Sequence, residues 1–152
     1  MEKEIFKKIK ESKNFEIYNP ETGSNIKLPL YTDEISAGFP SPADDHLDRK
    51  LDLNEYLIKN KSATFLIKVN GNSMIDAGIY DGDILVVDRS LEPSKGKIII
   101  GVINGEFTVK RIMKKGKKIF LKAENKNFKS IEITEDMDFK LWGIVSFSIH
   151  KL

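Results

Sequence analysis

The stretch Lys97-Ile-Ile-Ile-Gly-Val-Ile103 followed by Asn104-Gly105 and Glu106-Phe-Thr-Val-Lys110-Arg-Ile-Met113 decides the fold class. Its first part is dense in isoleucine and valine, as a strand buried on both faces would be. Asn104-Gly105 is the strongest hairpin signal in the chain, because a type I′ turn needs positive φ at both central residues. Together they predict an antiparallel hairpin joining 97–103 to 106–113. Upstream, Phe65, Ile67 and Val69 alternate with Thr64, Leu66 and Lys68, and Asp83–Asp88 repeats the Ile/Val density. Downstream, further strands are expected at 118–123, around 131–133 and at 139–149. Short strands with frequent turns and few helices predict a mainly β domain.

Two helices are expected. Asp52-Leu-Asn-Glu55 opens one that runs through Asn60, with Asp52 as cap and Glu55 in the capping-box position. Residues 3–12 place Ile5, Phe6 and Ile9 on one face of a short amphipathic helix, marginal unless it docks. From Tyr18 to Asp45 the texture changes: the stretch holds Pro20, Pro29, Pro40 and Pro42, four of the 5 prolines, with Gly23 and Gly38. Proline lacks an amide hydrogen and resists helix interiors and central strands, so this segment reads as an extended, irregular arm. The predicted organisation is an N-terminal arm, 1–45, and a β-rich domain, 46–152.

Composition narrows the function. The 152 residues suit one compact domain with a loosely attached arm, and 40% hydrophobic residues supply a modest core. No window approaches the roughly 18 apolar residues of a membrane span, and the mixed-charge start does not resemble a secretory signal. A cytoplasmic protein without membrane attachment is expected. The 0 cysteines agree with a reducing compartment and exclude thiol catalysis and thiolate metal sites. Formal net charge is +2, from 25 basic and 23 acidic side chains, too balanced to announce a nucleic-acid binder. Lys110, Arg111, Lys114, Lys115, Lys117 and Lys118 form one basic cluster. A solvated hairpin tip is the favoured reading, with a nucleic-acid or acidic-partner contact as the alternative.

The chemistry follows by elimination. The 2 histidines, His46 and His150, are too few for a metal cluster, and neither lies in a setting that marks a Ser-His-Asp triad. There is no phosphate-binding loop or dinucleotide fingerprint, so no cofactor and no metal are expected. Asp81 and Asp83 belong to the tight turn around Gly82. What remains is Gly71-Asn-Ser73-Met-Ile-Asp76. Ser73-Met-Ile-Asp76 fits a capping box, so Ser73 could simply start a short helix. A serine at a strand-to-helix turn also suits a nucleophile, with nearby free amides as an oxyanion hole. Without histidine its base would be a neutral lysine, and desolvation among apolar neighbours is what lowers a lysine pKa. Lys110 shares a strand face with Thr108 and Ile112, but Lys68 and Lys97 are equally eligible by pattern.

These motifs resemble the UmuD branch of the UmuD/LexA self-processing family. The likeness runs from about Pro29 to the C-terminus through Phe39-Pro-Ser-Pro-Ala43, Asp52-Leu-Asn54, Ser62-Ala-Thr64, Gly71-Asn-Ser-Met-Ile-Asp76, Asp81-Gly-Asp83 and Gly105-Glu-Phe-Thr-Val-Lys110. It implies a LexA/UmuD-like β-rich peptidase domain in which Ser73 is the nucleophile and Lys110 the general base. It implies cleavage between Ala37 and Gly38, with the backbone amides of Asn72 and Ser73 as oxyanion donors. It also implies a homodimer, cleavage stimulated by RecA filaments on single-stranded DNA, and a UmuC-like translesion polymerase as partner in the SOS response. The cut carries Ala-Gly, as in LexA repressors, where UmuD proteins carry Cys-Gly. The residues before Pro29 have no counterpart in the likeness.

Three alternatives share parts of this pattern. A LexA-like transcriptional regulator would need about three helices ahead of the cut, whereas residues 1–37 offer one, so sequence-specific DNA binding is not expected. A signal peptidase shares the serine/lysine logic but would need a membrane anchor. A catalytically dead module would not need to keep both Ser73 and Lys110.

Overall fold

The computed structural model describes residues 6–12, 15–20, 25–31 and 47–152. The chain divides into two compact units, residues 1–21 with 60–152, and residues 22–59.

The larger unit is an antiparallel sheet. Its strands are β1 (Phe6–Ser12), β2 (Phe15–Pro20), β5 (Thr64–Val69), β6 (Ile84–Asp88), β7 (Ile98–Ile103), β8 (Glu106–Lys115), β9 (Lys118–Lys122), β10 (Ile131–Ile133) and β11 (Phe139–Ile149). They form one 9-stranded sheet in the order β1-β2-β5-β6-β11-β7-β8-β9-β10. The mainly β fold is therefore borne out, strand by strand from residue 64 onward. The Asn104-Gly105 turn has the positive φ values a type I′ hairpin demands, 49° and 82°. It sets the register Ile98↔Arg111 through Ile103↔Glu106.

Alternation along these strands fills two cores, because successive side chains leave opposite faces of a sheet. Ile67, Val69, Leu85, Val87, Ile100, Phe107 and Val109 pack with Ile17, Met74 and Ile79 in one. Ile99, Leu121 and Ile144 form the other. Strand β11 pairs with β7 through its first half and with β6 through its second, with irregularities at Leu141/Gly143 and Val145/Phe147. A side chain at Gly143 would put its Cβ 2.6 Å from Val87 Cγ1, so this irregularity requires glycine. Trp142 meets Phe65 and Phe107 edge-on at 5.3 and 5.6 Å, and the Arg89 guanidinium lies 4.7 Å from its ring centroid.

Residues 6–12 correct one expectation. They are strand β1, paired with β2 from Phe6↔Pro20 to Ser12↔Phe15, rather than an amphipathic helix. A helix that short carries the full cost of nucleation, whereas a hairpin partner supplies hydrogen bonds directly.

In the smaller unit β3 (Lys27–Tyr31) pairs with β4 (Leu47–Asp52). Pro29 is accommodated because a two-stranded ribbon leaves one edge of each strand unpaired. Part of the expected arm is thus extended, as expected, but paired. Helix α1 (Leu53–Leu57) follows, shorter than the expected span. Asp52 is its cap, its carboxylate accepting from the amides of Asn54 at 2.9 Å and Glu55 at 3.3 Å.

Candidate active site

Strand β5 ends at Val69 and the chain turns through Gly71, whose φ of 108° favours glycine. Three hydrogen bonds tie this turn to the Tyr80-Asp-Gly-Asp83 turn. Gly71 N–H donates to Asp81 Oδ1 at 2.7 Å, Gly82 N–H to Val69 O at 2.9 Å, and Val69 N–H to Asp83 O at 2.8 Å. The acidic pair is structural, as its sequence suggests. Asp83 is 2% exposed and also accepts from Tyr80 N–H at 2.8 Å and Ser148 Oγ at 3.2 Å, with His150 Nδ1 at 2.6 Å from its other oxygen. Burial alone would raise the Asp83 pKa, but the Tyr80 amide, His150 and Ser148 hold it below the usual carboxylate value.

Ser73 is half-buried between this turn and a short 3-10 helix, Ile75–Ala77. The helix starts after Met74 and has no side-chain cap. Ser73 therefore does not fill the capping role its sequence allows. Met74 anchors the turn by burying its side chain in the first core, and its carbonyl accepts from Ala77 and Ile79 at 3.0 and 3.3 Å. Among the described residues, neither the Ser73 hydroxyl nor the amides of Asn72 and Ser73 have a hydrogen-bond partner. The Asn72 carbonyl does: Asn125 Nδ2 donates to it at 2.8 Å. Because a trans peptide sets N–H opposite C=O, pinning this carbonyl also fixes the direction of the Ser73 amide.

Lys110 lies on β8, 8% exposed. Its Nζ donates to Thr108 Oγ1 at 2.9 Å and to Val109 O at 3.0 Å. Thr108 is the same-face neighbour that strand alternation specifies. Burial pushes the Lys110 pKa below the ordinary lysine value. Lys68 and Lys97, equally eligible by pattern, are both exposed. Among the described residues no hydrogen bond joins Lys110 to Ser73. Their neighbourhoods nevertheless converge: Met74, beside Ser73, and Val109, beside Lys110, share the first core.

Glu124 is a second link, one that sequence reasoning missed. Its carbonyl accepts from Asp76 N–H at 2.8 Å and its own amide faces Met74 Sδ at 3.4 Å. Its carboxylate takes Arg111 Nε at 2.5 Å and lies 3.6 Å from Lys122 Nζ, and these partners, Arg111 first, hold its pKa down. Glu124 and Asn125 follow β9 in an irregular segment, where no periodicity marks a residue.

The remaining expected residues fall as follows. Ala37, Gly38 and His46 lie outside the described residues. Lys114, Lys115, Lys117 and Lys118 sit exposed where β8 turns into β9, and Lys118 pairs with Glu132 at 3.0 Å. That placement matches a solvated hairpin tip. Among the described residues no group of three or more His, Cys, Asp or Glu is arranged to hold a metal, and no helix is long and apolar enough to cross a membrane.

Comparison with known proteins adds the wider context. The Peptidase S24-like family model matches residues 29–146. The chain is 43% identical over 123 residues to Protein MucA of Salmonella typhimurium, covering 80% of this chain and 84% of that protein. It is 47% identical over 95 residues to Protein ImpA of Salmonella typhimurium, covering 62% of this chain and 66% of that protein. It is also 41% identical over 120 residues to the LexA repressor of Ralstonia nicotianae, covering 78% of this chain but 55% of the repressor.

Proposed function

The chain belongs to the Peptidase S24-like family, and from that premise we propose that it cuts its own Ala37–Gly38 bond with Ser73 as nucleophile and Lys110 as general base. It is a UmuD-like member whose role is in SOS mutagenesis. The observation that carries the catalytic assignment is the burial of Lys110 at 8% exposure, with its two hydrogen bonds.

A neutral amine has two N–H groups and one lone pair. Donation to Thr108 Oγ1 and Val109 O occupies both N–H groups and leaves the lone pair as the acceptor for a serine proton. In the proposed reaction Ser73 Oγ attacks the Ala37 carbonyl carbon as its proton passes to Lys110 Nζ. The amides of Asn72 and Ser73 take the negative oxygen. Collapse breaks the C–N bond, Lys110 returns the proton to the Gly38 amine, and an ester remains on Ser73. Water, deprotonated by Lys110, then hydrolyses that ester and restores the hydroxyl. Small residues at the cut let the backbone approach closely, and an extended segment is the form in which peptidases bind substrate.

The proposal includes the division into an arm, 1–45, severed within by the cut, and a peptidase domain, 46–152. It includes a homodimer, stimulation by RecA on single-stranded DNA, a UmuC-like polymerase partner, and a cytoplasmic setting. The test is intact mass after incubation at about pH 9–10, near the free lysine pKa. The expected product lacks residues 1–37, and Ser73→Ala and Lys110→Ala stay whole. Cleavage at full rate in Ser73→Ala, or at a distant bond, defeats the assignment. The LexA match supports one alternative, a self-cleaving regulator, which tight sequence-specific binding to promoter DNA in a gel shift would favour.

A further inference from the structure

Two strand pairings bracket the bond proposed for cleavage. Before it, β2 is paired with β5 through Phe15↔Val69, Glu16↔Lys68, Ile17↔Ile67 and Tyr18↔Leu66. Ile17 is 3% exposed and packs in the first core with Ile67 and Val69. Strand β1 extends the same sheet outward, so β2 has a neighbour on each side. Closer to the bond, β3 precedes it and β4 follows it, paired from Lys27↔Asp52 to Tyr31↔Leu47. Residues 1–37 thus contribute strands to both units, and in each unit their partner strand lies beyond residue 37.

We infer that the cut nicks the chain without releasing the piece it severs: residues 1–37 stay bound to 38–152 as added strands, and release is a separate step. Hydrolysis of one peptide bond removes neither the ladder hydrogen bonds of β2 with β5 nor those of β3 with β4. It also leaves Ile17 in the core. What it removes is the covalent tether, which had made both pairings intramolecular. The fragment then binds as a β-augmenting peptide does, through main-chain ladders plus one buried side chain for specificity. It leaves when another strand competes for the β5 edge or when dilution favours dissociation. Leaving exposes the edge of the strand that runs directly into the Ser73 turn, an unpaired edge open to a new partner strand.

This inference rests on the proposed cleavage position, so its test separates the two. One sample is wild-type protein that has cut itself at alkaline pH. The other is the full-length Ser73→Ala chain with a site-specific protease recognition sequence inserted between Ala37 and Gly38, cut by that protease. Each is passed over a size-exclusion column at micromolar concentration, and the masses in each peak are read after denaturation. The expected result is co-elution of both pieces in one peak, separated by urea. Ile17→Asp in the inserted-site chain should weaken retention about tenfold or more, the effect of losing one buried isoleucine. Elution of 38–152 free of 1–37 in the inserted-site sample overturns the inference, as does retention unaffected by Ile17→Asp. Co-elution there, with no self-cutting in the wild type, would leave retention standing and defeat the proposed activity instead.

Discussion

Asn125 Nδ2 donates to the carbonyl of Asn72 at 2.8 Å, joining residues 53 positions apart in sequence. Asn125 is 8% exposed, and its own Oδ1 accepts from Asn127 N–H at 3.0 Å, so its amide is held from both ends. Through the trans peptide it orients, Asn125 acts as a positioning residue for the Ser73 amide rather than as a participant in chemistry. Asn125→Ala is expected to slow self-cleavage by roughly tenfold to a hundredfold, the scale on which small misplacements in an active site are felt. It should leave the dependence of rate on pH unchanged, because Lys110 is untouched. A rate series across pH on folded protein checks both parts.

Burial separates the three candidate lysines, and mutation should do the same. Lys110→Ala is expected to reduce cleavage at least about a thousandfold, the usual result of removing a member of a catalytic unit. Lys68→Ala and Lys97→Ala, which change exposed side chains, should cut at the wild-type rate. Intact mass at fixed times distinguishes the three variants in one experiment.

The Asp83 carboxylate joins the turn beside Ser73 to the end of β11. Asp83→Asn is expected to destabilise the protein by about 2–3 kcal/mol at neutral pH, the scale for hydrogen bonds to a buried charge. The sign with pH follows from the lowered pKa. Asp83 contributes stability above the unfolded carboxylate pKa of 3.8 and loses it as pH falls through the lower folded value. Urea midpoints for the two proteins should therefore converge in acid.

Much of the fold was legible because its signals are local. Alternation in Phe65, Ile67 and Val69 and the Asn104-Gly105 turn each specify structure within a few residues. Residues 3–12 mislead because three apolar residues in a short window fit either period, and the deciding partner, β2, lies in another segment. The site was legible only in part for a related reason. Ser73 sits in a recognisable strand-to-helix turn, but Lys110 differs from Lys68 and Lys97 only in what the folded sheet buries. Glu124 and Asn125 carry no local signature at all, since their roles consist of contacts with Met74, Arg111 and Asn72.

The depressed Lys110 pKa has consequences for both activity and stability, and together they test the site. Activity requires the neutral amine, so cleavage should rise with pH and level off below 10.5, the ordinary lysine value. Stability is linked through the same proton. With the folded pKa below the unfolded one, the unfolded chain holds more protons between the two values, so stability rises with pH across that window. Lys110→Met keeps the length of the side chain and removes the charge. It is expected to abolish cleavage, to be more stable than wild type at neutral pH, and to lose the wild-type gain in stability toward alkaline pH. Urea unfolding of both proteins at neutral pH and near pH 10 provides the comparison, with about pH 10.4 marking the free amine. A Lys110→Met protein that is less stable at neutral pH, with the same alkaline gain as wild type, would mean that Lys110 carries its charge at no cost and has no lowered pKa to use as a base.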